Sequence, residues 1–231
     1  MDLLILITLL PSYVLGKYIY KKDKVEKEPL MLLLILFLSG VVAVLMSIAM
    51  SYLTKSNFPI LNSKSMDFKT IFIQNFLGIA LVEEFFKWFF LNIIAWRNKN
   101  FNFLFDGIVY GVFVALGFAT LENILYVFNV STEFSTAILR ALLSVPGHCF
   151  FGVFMGYYFG LARMAKNNNR DWFIFYVMSL LIPIILHGIF DFCLSWDKMI
   201  YIFVFAGFVS ILYLVSFLRI RRLSQNDKYI K

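Results

Sequence analysis

Seven long apolar segments, separated by short polar ones, run through the chain. Each is about 20 residues or longer, the length that an α-helix needs to cross a hydrocarbon core about 30 Å thick. They cover approximately residues 1–20, 30–53, 69–96, 101–130, 137–161, 172–194 and 199–218. Alternating strand patterns are absent, so a membrane β-barrel is not indicated. The pattern predicts an all-α fold, a polytopic membrane helix bundle of about seven transmembrane helices, formed by a single domain over residues 1–231.

The basic residues predict how the helices cross the membrane. Fifteen Lys and Arg residues lie in polar segments on one side of the predicted bundle, and four lie on the other. Because cytoplasmic segments carry the excess of Lys and Arg, we expect the amino terminus outside and the carboxyl terminus in the cytoplasm. The first apolar segment has its positive charge after the apolar part, which favours a retained helix over a removed signal peptide.

Composition supports a membrane protein. Hydrophobic residues make up 61% of the chain and charged residues 15%, against averages of about 45–50% and 25% in soluble domains. The net charge of +7 resides mostly in the short polar segments, so it indicates topology and contact with lipid headgroups, and no nucleic-acid partner is expected. Cys149 and Cys193 have neither disulfide-framework nor metal-site spacing.

The strongest functional signal is a set of charges inside the third apolar segment. Glu83, Glu84 and Lys87 stand within two helical turns, although each charge near a bilayer centre costs about 2.5–3.5 kcal/mol on insertion scales. Lys87 lies three and four residues from the two glutamates, so it can neutralise one carboxylate and leave the second for chemistry. The alternative is an ion pair that only stabilises this helix.

Both histidines of the chain also fall within apolar segments. His187 and Asp191 lie four residues apart on one helix face, below Pro183, so Asp191 can orient the ring and leave one nitrogen for chemistry. His148 follows Pro146, and glycines at a spacing of four continue along its face, which predicts a packed inner surface. These glycines are Gly152, Gly156 and Gly160, with a similar pair at Gly107 and Gly111 on the preceding helix.

Three further polar residues are each compatible with more than one role. Glu122, followed by Asn123, is a proton carrier, a ligand or a structural carboxyl, and the sequence does not rank these. Asp106 lies near a helix start, where capping and a functional role are equally compatible with its position. Counted from the segment ends, Glu83, His148 and His187 reach the middle or outer half of the bilayer, so we expect them to meet as a water-activating site.

At these residues the sequence resembles the PrsW family of intramembrane proteases, relatives of the CAAX prenyl protease superfamily. The resemblance rests on EEFFK at 83–87, FDGIVYG at 105–111, GFATLENI at 117–124, His148, and HGIFD at 187–191. It implies a glutamic-type protease of the bacterial plasma membrane that makes the site-1, extracytoplasmic cut in a membrane-anchored anti-sigma factor. The wider superfamily often has Arg at the position of Lys87 and Asn at that of Asp191. Those departures favour the PrsW branch, with its motif core at 81–191.

We therefore expect Glu83 or Glu84 to act as general base on a water that His148 also holds, while His187, oriented by Asp191, stabilises the oxyanion. No cofactor is expected. The alternative is a zinc site formed by His148, His187 and Glu84, since two histidines and a glutamate can make an open catalytic site, although no His-Glu-x-x-His spacing occurs.

Two other classes of function remain open at this stage. Buried carboxylates and histidines also occur in proton-coupled transporters, but the two halves of the chain show no inverted repeat. A membrane scaffold that binds a partner helix through its glycines is the other alternative. In a scaffold, Glu84→Ala and His187→Ala would leave function intact.

Overall fold

A computed structural model of the protein describes residues 2–129, 134–196 and 198–230. The described residues form helices and no strand, which confirms the predicted all-α class. The α-helices are α1 (Asp2–Lys22), α2 (Leu30–Asn57), α3 (Phe68–Ile73), α4 (Leu81–Ala95), α5 (Leu104–Asn129), α6 (Phe134–Leu142), α7 (Ser144–Asn167), α8 (Phe173–Leu194) and α9 (Met199–Gln225). Within these described ranges, five helical segments are long and apolar enough to cross a membrane. The number of crossings and their orientation stay predictions.

The long helix α5 lies at the centre of the bundle. Of its most apolar stretch, 89% is buried inside the protein. The expected glycine contact is present, because a Cβ on Gly107 would lie 2.5 Å from the carbonyl oxygen of Gly156 on α7. On another side of α5, a Cβ on Gly40 of α2 would collide with the backbone at Val114. Only glycine allows these backbones to approach so closely.

Several predicted helix ends are wrong. The second helix continues to Asn57 instead of ending at Leu53, and Pro59 then opens a short 3-10 turn, Pro59–Asn62. The predicted loop over 54–68 is therefore partly helical. The last helix reaches Gln225 instead of Leu218, because basic side chains are favourable in the final turns of a helix, where they offset its macrodipole.

The helix predicted over 137–161 is interrupted at Leu143. Pro146 has no backbone N–H, so the carbonyl of Leu142 lacks its usual helical donor. Tyr213 of α9 donates a hydrogen bond to that carbonyl at 3.1 Å. Of the turn predicted over 131–136, residues 131–133 lie outside the described residues and the rest belongs to α6. Proline thus divides this segment into α6 and α7.

At the end of the bundle that holds the last turn of α9, the tail pairs with the segment before α5. Phe103 and Tyr229 form an antiparallel bridge. The amide of Leu104 donates to the carbonyl of Lys228 at 2.9 Å, and the amide of Phe105 donates to the carboxylate of Asp227 at 2.9 Å. We call residues 102–105 and 227–230 the tail clasp. The tail clasp lies at the end of the bundle that the charge distribution predicts to be cytoplasmic.

Candidate active site

The two adjacent glutamates follow directly after an unusual stretch of helix. Asp67 caps the start of α3 by accepting a hydrogen bond from the amide of Thr70 at 3.0 Å. A π-helical segment, Gln74–Ala80, then joins α3 to α4. Segments of π-helix are rare and frequently occur at functional sites. Asn75, buried within it, bonds to Ser195 at the end of α8 at 3.0 Å, which ties this helix to the one that carries His187.

Glu84 is the fully buried glutamate of the pair. Its Oε1 accepts hydrogen bonds from Lys87 Nζ at 2.7 Å and from His187 Nδ1 at 2.8 Å. Its side chain has no exposed surface. Glu84 therefore connects its own helix to α8 and holds both the lysine and a histidine in place.

His148 lies between α4 and α5. Its Nδ1 is 3.0 Å from Lys87 Nζ, and its Nε2 is 3.0 Å from Glu122 Oε2. An ammonium can only donate, so charged Lys87 leaves the ring proton on Nε2, where it donates to Glu122. The ammonium also lies 3.9 Å from the ring centroid of Phe118, a cation–π contact.

His187 has a carboxylate at each ring nitrogen. Glu84 accepts from Nδ1, and Asp191 Oδ2 lies 3.2 Å from Nε2. The sequence predicts that Asp191 leaves the second ring nitrogen free, but Glu84 from another helix occupies it. Two carboxylate acceptors suit a doubly protonated ring. The His148 and His187 rings are 5.1 Å apart between centroids, so the two histidines share one site.

Arg140 belongs to this cluster, although the sequence analysis did not include it among the site residues. Its Nη2 is 3.1 Å from Glu122 Oε2, and its Nε donates to Asn123 at 3.1 Å. The guanidinium also packs over the ring of Tyr126 at 4.0 Å. An arginine within an apolar segment is itself a functional signal, and that signal was available in the sequence.

Glu83 differs from Glu84 by facing open space. Its side chain is 16% exposed, whereas that of Glu84 has no exposed surface, and the Oε2 atoms of both glutamates have no hydrogen-bond donor among the described residues. Glu83 Oε2 is 3.7 Å from Lys87 Nζ and 4.0 Å from His187 Nε2. Glu83 lines a cavity of about 730 Å³ together with both histidines. Of the two glutamates, it is the one placed to meet a substrate.

The charges of the cluster do not balance without extra protons. Four carboxyl groups face two permanent cations. The carboxyl groups are those of Glu83, Glu84, Glu122 and Asp191, and the cations are Lys87 and Arg140. Because unbalanced charge is unfavourable within a bilayer, the histidines and carboxyl groups together hold further protons. A proton reservoir beside Glu83 is what general acid–base chemistry requires.

Asp106 lies apart from this cluster. It is 16 residues from Glu122 on the same helix, about 24 Å along the axis. Its Oδ2 accepts hydrogen bonds from the amides of Asn102 and Phe103 at 3.0 and 2.7 Å. The structure thus places Asp106 as a helix cap beside the tail clasp, the capping position that the sequence analysis weighed against function.

The donor atoms at the site fit a divalent metal ion. Glu83, His148 and His187 each offer a ligand atom, and these atoms lie within 4.8 Å of one another. Three protein ligands with an open position are typical of catalytic zinc, and Glu84 behind His187 resembles the carboxylates that orient metal-binding histidines. Glu83 completes this set of ligands, whereas the zinc alternative drawn from the sequence named Glu84. One contact does not fit a metal ion. The ammonium of Lys87 faces His148 Nδ1, the ring nitrogen that would carry the proton if Nε2 bound the metal.

Comparisons with known proteins agree with the motifs. A family model described as "PrsW family intramembrane metalloprotease" matches residues 28–219. A protein named Protease PrsW from Oceanobacillus iheyensis is 35% identical over 94% of both chains. Its namesake from Bacillus subtilis is 38% identical over 80% of this chain and 79% of its own, and that from Clostridioides difficile is 32% identical over 98% and 94%. No solved structure matches the chain.

Proposed function

The chain belongs to the PrsW family of intramembrane proteases, and from that premise we propose that Glu83 activates the water that cuts its substrate. The observation that carries the proposal is that Glu83, and not Glu84, lines the cavity beside both histidines, while its Oε2 has no hydrogen-bond donor among the described residues. The family assignment sets aside the transporter and scaffold alternatives.

In the proposed reaction, Glu83 Oε2 removes a proton from water as the water oxygen bonds to the peptide carbonyl carbon. Lys87 Nζ, 3.7 Å away, places a positive charge beside this carboxylate. His187 is placed to donate a hydrogen bond to the oxyanion, with Asp191 as its resting partner. The carbon–nitrogen bond then breaks, and Glu83 returns its proton to the leaving amine.

Glu84, His148 and Glu122 have positioning roles in this scheme. Glu84 fixes Lys87 and His187, and Glu122 fixes the ring of His148. A metal ion, where bound, would be held by Glu83, His148 and His187 and would make the water more acidic.

The proposed substrate is a membrane-anchored anti-sigma factor, cut at site 1 on the extracytoplasmic side, as the family resemblance implies. The location of the cavity supports this proposal. It is lined by the last turns of α2 and α8, at the opposite end of those helices from the tail clasp, and the charge distribution predicts that end to be outside.

The test is cleavage of a panel of single-pass anti-sigma-type proteins in liposomes by the purified protein. We expect Glu83→Gln to lower the rate about 10²–10⁴-fold, the usual contribution of a general base, with His148→Ala and His187→Ala also impaired. Each protein is assayed with chelator and after zinc is added back. Loss with chelator and recovery with zinc would assign the water activation to a metal, and full activity of Glu83→Gln would contradict the proposal.

A further inference from the structure

A second cavity joins the active site from the side of the bundle. It measures about 560 Å³ and lies between α2 and α5. Glu83 lines both this cavity and the larger one, and so do four neighbours. These are Ser51, Lys55, Glu122 and Tyr126. The two spaces therefore meet at the carboxylate that faces the water.

The second cavity opens toward lipid. Ile48 and Tyr52 line it and are 53% and 77% exposed, and both belong to α2, a helix apolar enough to span the membrane. Val44 and Phe118, also lining residues, are 3% and 1% exposed and form its floor. We call this cavity the lateral groove.

One buried hydroxyl in the lateral groove, that of Ser47, lacks a partner among the described residues. Ser47 is 4% exposed, and its Oγ forms no hydrogen bond within the part of the chain that the structure describes. A serine in a helix ordinarily bonds back to a carbonyl one turn earlier, as Ser39 of the same helix does to Leu36 at 2.7 Å. A buried, unpaired hydroxyl is unfavourable, so a donor or acceptor is missing at this point of the groove.

The backbone of a protease substrate can supply a hydrogen-bond partner for Ser47. A peptide bond inside a helix must be freed from the helix before water can attack it, and its backbone groups then need new partners because lipid offers none. From Val44 to Lys55 the groove follows α2 for about 16 Å, which accommodates about five extended residues. Its apolar walls suit apolar side chains, while the larger cavity beyond Glu83 contains polar groups such as Asn75, Asp191 and Ser195.

We infer that the membrane anchor of a single-pass substrate reaches Glu83 sideways through the lateral groove, with about five extended apolar residues on the membrane side of the cut. Ser47 donates to or accepts from their backbone, and the polar residues of the substrate occupy the larger cavity. The inference rests on the proposed proteolytic function and adds the substrate class, an anchor that unwinds where its apolar segment meets its polar one.

The test uses the full-length protein in liposomes and a single-pass protein that the wild type cuts. Ile48→Trp fills the groove at an exposed position, and Leu45→Trp is the matched control, since Leu45 is 56% exposed on the same helix and does not line the groove. We expect Ile48→Trp to slow cleavage at least about tenfold and Leu45→Trp to change it less than about twofold. Ser47→Ala is expected to slow it about two- to tenfold, the effect of one hydrogen bond, and Ser39→Ala to leave it unchanged.

A second measurement does not depend on turnover. A photo-crosslinking residue at position 52, in protein that carries Glu83→Gln, should form an adduct with the substrate anchor, whereas the same residue at position 53 should not. Equal cleavage by Ile48→Trp and Leu45→Trp, or adducts at 53 and none at 52, would overturn lateral entry while the protease assignment stands. If the wild type cuts no member of the panel, the proposed function fails and this inference fails with it.

Discussion

Glu83 and Glu84 are neighbours in sequence but occupy different environments. Consecutive helical residues point about 100° apart, so one side chain faces the cavity and the other faces two buried cationic partners. The sequence predicted a paired carboxylate and its lysine, because those contacts lie within two turns. It did not identify which glutamate faces the substrate, since that depends on His187, which is 103 residues away.

This difference predicts that the two glutamates affect stability unequally. Glu84→Gln removes the charge that Lys87 and His187 both contact, and breaking a buried ion pair costs about 3–5 kcal/mol. Glu83→Gln removes a carboxylate oxygen that has no donor, so we expect its stability to stay within about 1 kcal/mol of wild type. Thermal unfolding of the two variants in the same detergent measures the difference. Equal melting temperatures would contradict the assignment of Glu84 as the structural member.

At the scale of elements, the central pair α5 and α7 depends on glycine. Gly156→Ala places a methyl group against the backbone of Gly107, and we expect it to destabilise the protein by about 1–3 kcal/mol, as overpacking does. Gly207 on α9 is the matched control, because a Cβ there meets nothing within 4 Å. Gly207→Ala should be neutral or slightly stabilising, since alanine is the better helix former. Melting temperatures in detergent would measure the difference between the two variants. A similar decrease in melting temperature for both would show that the close contact between α5 and α7 is not what makes Gly156→Ala destabilising.

The helices were predictable because apolar length and glycine spacing are local properties. The interruption at Leu143 was not predicted, since a proline in an apolar run is compatible with either a kink or a break. The outcome depends on Tyr213, which lies 71 residues later and satisfies the carbonyl of Leu142. The packing of α2 against α5 could not be predicted from the sequence either. The only sequence feature that pointed to the lateral groove was therefore the serines of α2.

For the whole molecule, the tail clasp lies over a group of acids that connects distant parts of the chain. Burial raises the pKa of Glu28 to about 7 and that of Asp23 to about 6, and it raises the pKa of Asp227 as well. Tyr110 donates a hydrogen bond to Glu28, and Asp106 lies beside it. The predicted loops were short and basic, and nothing in their composition indicated that α1, α5 and the tail meet there.

The raised pKa values give the clasp a definite response to pH. A carboxyl group whose pKa is higher in the folded state than its ordinary value near 4 binds its proton more tightly when folded. The stabilisation is complete below about pH 4 and decreases as the pH rises through about 6 to 7. A spin label at Lys228→Cys should therefore become more mobile between pH 5 and pH 8, while the native Cys149 and Cys193 are too buried to react.

Glu28→Gln is the control for this response, because an uncharged amide removes one of these titrations. We expect the change in label mobility to shrink in that variant and to persist in wild type. A label that moves equally at pH 5 and pH 8 in wild-type protein would show that the acids do not govern the clasp.

The π-helical segment before Glu83 also affects how relatives of this chain are aligned. A π-helix turns less per residue than an α-helix, so over its seven residues the helix face drifts by roughly a third of a turn. A helical wheel drawn straight through residues 68–95 therefore assigns wrong neighbours to one of its halves. A homologue one residue shorter in this stretch, and α-helical there, would keep both its α3 and its glutamates in nearly the same rotational phase, because the missing residue offsets the smaller turn per residue of the π-helix. A single alignment gap here therefore corresponds to the replacement of π-helix by α-helix, and it leaves the catalytic motif intact.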